Sequence, residues 1–196
     1  VDGGANTEAI LLNDDSSVTN DGEITLATDD GATVLMGDNA TITNNDDITA
    51  TGNDSRAIEV GDNATITNNS GGVITGGADS TNNTGYAVWF NGSDTAAENS
   101  LTSDGGTITT SGAVAIEGSE GNETILLQAG STTTGDIRTN GGDDLVSMTG
   151  SGATLTGDIE LGEGNDRVEV GRGADIVGTI DLGAGNDVFI LENEAE

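Results

Sequence analysis

The side chains able to do chemistry in this chain are almost all carboxylates. Among 196 residues, 35 Asp and Glu stand against four Arg, with no Lys, His or Cys, for a formal charge of -31. A surface of that sign repels nucleic acid phosphates and anionic membranes, so cations are the expected partners and nucleic acid is not. No apolar run approaches the ~20 residues of a membrane span, and membrane insertion is not expected. Lyase chemistry usually needs a base to take a proton, and only Arg56, Arg138, Arg167 and Arg172 are basic. Carboxylate pairs suited to glycoside hydrolysis are so numerous that none stands out. The reading is therefore non-enzymatic, with a secreted polysaccharide lyase or hydrolase as the alternative.

Two groups of residues are set apart by their spacing. Acids recur at similar corners in SEGNE (119–123), NGGDD (140–144), GEGND (162–166) and GAGND (183–187). Three of the four aromatics, Tyr86, Trp89 and Phe90, fall within five residues. On an extended strand Val88 and Phe90 share a face, the core one, and Trp89 takes the other. Tyr86 and Trp89 are then either a sugar-stacking platform or rings on an ordinary half-buried strand.

The elements that position these groups follow from internal repetition. GDNATITNN occurs at 37–45 and again at 61–69, and weaker copies of its surroundings recur every 21 to 30 residues or so. Three short strands repeat. Strand a covers 9–12, 33–36, 57–60, 87–90, 124–127, 145–148, 167–170 and 188–191. Strand b centres on Val18, Ile42, Ile66, Leu101, Thr133, Leu155 and Ile176. Strand c carries Ile24, Ile48, Ile74, Ile108, Ile137, Ile159 and Ile180. Gly, Asn, Asp and Ser clusters between them supply corners. Ser or Thr flanking the b strands, as in Ser17-Val-Thr19 and Thr41-Ile-Thr43, suits a solvated sheet face.

Strands this short gain stability only by stacking, which predicts an all-β fold: a right-handed parallel β-helix of about seven three-strand coils, roughly 35 Å long at ~4.8 Å per layer. The absence of proline agrees, because mid-sheet strands donate hydrogen bonds on both sides. The chain reads as one solenoid over 1–196, with irregular coils and longer corners in 1–112 and regular coils in 113–196. Insertions at 76–85 and 93–99 lengthen two corners of one coil. Residues 113–116 look like an extra strand a without its own b and c.

LGEGNDRVE (161–169) and LGAGNDVFI (182–190) resemble the glycine-aspartate calcium repeats of secreted RTX proteins. The wider pattern, as in TGDIELGEGNDRVEV, resembles the β-helical passenger domains of bacterial autotransporters and related surface adhesins. The first resemblance implies calcium as a cofactor. Its ligands would be Asp144, Asp166 and Asp187, with Glu123 and Asp143 as further carboxylates of the same corners, and Gly142, Gly164 and Gly185 permitting the tight loop. The repeat spacing of about 21, against nine in RTX proteins, leaves a second reading open, in which Asn and Asp cap backbone amides in a plain ladder. The second resemblance implies an extracellular or bacterial cell-surface rod: a stalk, adhesin or filament subunit, with cell-surface glycans as candidate ligands. The polar stretches 1–8 and 192–196 offer no convincing cap, so end-to-end stacking with copies of itself or with flanking repeats is expected.

Overall fold

The computed structural model describes residues 7–79 and 84–192, so the expectations for 1–6, 193–196 and the centre of the first insertion lie outside the described residues. All regular structure in them is β-strand, and every named strand pair is parallel. The chain winds as a right-handed β-solenoid of about eight turns. An eight-stranded sheet forms one face, and thirteen strands form a second sheet that folds over the other two.

The face on which each coil begins stacks Glu8–Leu12, Ala32–Met36, Arg56–Val60 and Val88–Phe90, then the second part of Thr107–Glu117. It continues through the end of Thr132–Arg138 to Ile159–Glu160 and Ile180–Asp181. The eight-stranded sheet follows in each coil, running from Ser17–Asn20 to Val188–Leu191. The third face starts at Ile24–Leu26 and ends at Asp175–Val177.

This arrangement corrects the column assignment. Strand a of the second half does not continue strand a of the first: Asn122–Leu127 stacks on Glu98–Asp104, a strand b. Ile116, in the supposed extra strand, pairs with Val88, so residues 113–116 supply the first face of their own coil. Counting that strand advances every later label by one face and makes eight layers rather than seven. Thr107–Glu117 is a single long strand that bends between Thr109 and Val114, with no Gly-Asn corner to announce the change of face.

Each strand points one or two apolar side chains inward, and these stack into a narrow core that includes Ile42, Ile66, Leu101, Ile125, Val146 and Val168 along the eight-stranded sheet. Val88 and Phe90 are buried in it and Trp89 faces outward, as alternation requires.

Candidate functional site

The corner leading into the eight-stranded sheet gathers the acids singled out by spacing. Asn99 heads a relay of cross-layer bonds there. Its Oδ1 accepts the Ala64 amide at 2.9 Å and its Nδ2 donates to Glu123 Oε1 at 3.0 Å. The Glu123 amide then donates to Asp144 Oδ1 at 2.7 Å, the Asp144 amide to Asp166 Oδ1 at 2.9 Å, and the Asp166 amide to Asp187 Oδ1 at 3.1 Å. One carboxylate per layer thus satisfies a corner amide of the layer before it.

Glu123, Asp144 and Asp166 are buried, and Asp187 is half-buried in the last layer. The second oxygens Glu123 Oε2, Asp144 Oδ2 and Asp166 Oδ2 are buried with no hydrogen-bond partner among the described residues. Burial pushes all three carboxyls above the ordinary range, Asp144 to about 7, where the neighbouring charges of Glu123 and Asp166 add to the effect. Asp143 is exposed and belongs to a parallel outer ladder: its Oδ1 accepts the Asn165 amide at 2.8 Å, and Asn165 Oδ1 accepts the Asn186 amide at 3.2 Å. The five acids therefore divide into an inner buried column and an outer exposed one. Among the described residues no three acidic side chains converge into a ready-made metal cage. The unpartnered inner oxygens are nevertheless hard anionic donors, the type that calcium takes.

Tight packing of these corners depends on glycine. A Cβ on Gly164 would lie 1.6 Å from Gly142 O, and one on Gly185 would lie 1.4 Å from Gly164 O, at φ of 153° and 156°. Only glycine accepts that backbone with the layer above so close.

The aromatic group forms the second constellation. The outward positions of the first face align Glu59, Trp89, Glu117, Arg138 and Glu160 in successive layers. Tyr86 meets Trp89 edge-on, with ring centroids 5.7 Å apart and planes at 67°. The Arg56 guanidinium lies 5.3 Å from the Trp89 ring centre and pairs with Glu59 Oε2 at 2.9 Å, while Asn91 Nδ2 donates to Glu59 Oε1 at 2.8 Å. Glu117 Oε1 accepts from Asn140 Nδ2 at 3.1 Å, whereas its Oε2 is buried and unpartnered. Burial raises the Glu117 carboxyl above its usual range. Arg138 pairs with Glu160 at 2.9 Å, as its place in the repeat suggests, and with Asp136 at 3.5 Å.

Spacing in the sequence marks Tyr86 and Trp89 but not Glu59, Glu117 or Arg56. A signal for two of them was present. An acid directly follows the inward isoleucine in Ile58-Glu59, Ile116-Glu117, Ile159-Glu160 and Ile180-Asp181, which marks one outward column.

Comparison with protein-family models, curated proteins and solved structures finds no match to this chain.

Proposed function

We propose that this solenoid is a structural and adhesive rod of the extracellular or bacterial cell surface, a stalk or filament unit extended end to end and stabilised by calcium at its inner acid column. The observation that carries the reading is the last described layer, over which no further coil lies among the described residues. Phe189 and Leu191 stack below Val168 and Val170, pointing toward the core, yet are 47% and 64% exposed. An apolar cross-section of this kind is what one further coil covers, from another copy or from flanking repeats, by adding strands to both sheets. A head-to-tail contact of this kind does not close, so it propagates as a fibre. Calcium at Glu123, Asp144, Asp166 and Asp187 would neutralise the buried column and lessen repulsion between rods of charge -31.

Light scattering of the whole chain across a calcium series at low salt tests both halves of the proposal. The expected outcome is calcium-dependent growth that Phe189→Asp with Leu191→Asp suppresses, together with a Tm that rises with calcium and falls with chelator. A chain that stays monomeric throughout overturns self-assembly. A Tm indifferent to chelator overturns the calcium role.

A further inference from the structure

The coil containing Trp89 differs from every other. It holds three of the chain's four aromatics, and both of its long corners flank the three-residue strand Val88–Phe90. Asp79, where the corner before it starts, accepts the Gly85 amide at 3.0 Å and the Ala113 amide at 2.7 Å, a tie to the next coil. Two of the four arginines, Arg56 and Arg138, stand on this face, each paired with an acid. On a rod of charge -31 these two arginines set a fixed indole beside ion pairs.

We propose that this outward face binds a neutral polysaccharide, holding it without cleaving it. The inference supplies a ligand class for the adhesive reading and rests on that reading only for its setting.

Four observations converge on that chemistry. The half-buried Trp89 ring is held by Arg56 on its face and by the Tyr86 edge, so little ordering entropy remains to be lost on binding. Aromatic surface of this kind suits the apolar C–H face of a pyranose, which presents hydroxyls around its rim. Arg138, two layers along the same column, is partly exposed and bonds Glu160 and Asp136, which leaves guanidinium donors for sugar hydroxyls. Outward groups recur at one strand layer, about 4.8 Å, close to the length of one pyranose unit, so a glycan lying along the rod meets one side chain of the column at each sugar. The acidic remainder of the surface repels polyanions, which narrows the class to neutral chains.

The single tryptophan makes Trp89 its own reporter. The whole chain is titrated with cellohexaose, chitohexaose with its N-acetyl groups intact, and maltohexaose, with polygalacturonate as the charged counterpart, following Trp emission. A saturable emission change with at least one neutral hexamer is expected. Arg138→Gln keeps the fluorophore and is expected to weaken binding about tenfold, the size of one hydrogen bond to a charged group. Tyr86→Ala, which also keeps it, is expected to weaken binding severalfold. Trp89→Ala, followed by calorimetry with its β-sheet signal unchanged, is expected to abolish binding. No saturable change with any neutral hexamer, a response to polygalacturonate alone, or the appearance of shortened products overturns the proposal. Because the titration does not depend on assembly, its failure leaves the scattering result on end-to-end growth to stand by itself.

Discussion

The corner entering the eight-stranded sheet is built in two ways along the same rod. In the first coils its positive-φ positions are Asp15, Asn39 and Asn63, with φ of 55° to 57°, the left-handed region that short polar side chains tolerate. In the last coils the corner instead uses Gly142, Gly164 and Gly185, whose φ values of 108° to 156° only glycine adopts readily. The buried ladders differ too. Asn20 Nδ2 donates to Asn44 Oδ1 at 2.8 Å and Asn44 Nδ2 to Asn68 Oδ1 at 2.9 Å, at the far end of the same strands. The later coils stack buried carboxylates at the near end. An amide both donates and accepts, so its ladder propagates with each partner satisfied. A carboxylate only accepts, so each rung leaves one oxygen orphaned. The first half is held by a self-sufficient ladder, while the second is held by one whose buried second oxygens lack donors among the described residues.

The largest expected effect breaks the backbone side of this comparison. Gly164→Ala places a Cβ 1.6 Å from Gly142 O in a disfavoured backbone region, and the contact is backbone, which cannot swing aside. A loss of several kcal/mol is expected, read as a Tm drop or as separate early melting of the last coils. Asn39→Ala, with φ of 55°, is expected to cost only about 1 to 2 kcal/mol. Equal losses for the two variants would show that the corners do not differ in the way described.

A smaller effect separates the ladders. Asp144 sits near 7 in the folded chain against an ordinary 3.8, and burial raises Glu123 and Asp166 as well. Between those two pH values the folded state holds a proton that the unfolded state has released, so stability falls as pH rises through the interval and levels off above about 7. The loss is on the order of a few kcal/mol for Asp144. Urea midpoints at pH 5 and pH 8 measure it. Asp144→Asn is expected to flatten the profile, and Asn44→Asp, at a fully buried position, to install the same dependence in the first half. A wild-type midpoint that rises from pH 5 to pH 8 would contradict the charged-column account.

The sequence revealed the solenoid but not its phase, and the reason is physical. Every strand of every face needs the same thing, an inward Ile, Val or Leu between small polar residues, so Ile24 and Ile58 look alike although they lie on different faces. Face identity comes only from counting strands, and the count failed at Thr107–Glu117, where two faces share one uninterrupted strand. Asp144, Asp166 and Asp187 were legible because the GxGND spacing repeats with the coil. Their division into a buried and an exposed column was not, since Asp143 and Asp144 are adjacent and only the turn geometry decides which enters the wall. Glu117 was hidden for a similar reason: the bond that holds its Oε1 comes from Asn140, a coil away.

The smallest effect tests whether burial is what divides the two halves. Asp14, Asp38 and Asp62 form a carboxylate ladder in the first coils as well, since Asp38 Oδ1 accepts the Asp62 amide at 2.9 Å and Asp14 Oδ1 accepts the Asp38 amide at 3.0 Å. The bonding is the same in kind as at Asp144, but Asp38 is exposed and water reaches its second oxygen. Asp38→Asn keeps the acceptor and removes one of three stacked negative charges. The expected change is within about 0.5 kcal/mol, stabilising at low salt because like charges one layer apart repel, and vanishing as salt screens them. Asp144→Asn removes a charge that salt screens far less, so its gain at pH 8 is expected to persist at high salt. If the two variants respond to salt alike, solvent exposure does not distinguish the ladders, and the pH dependence of the last coils must arise from the summed charge of the rod.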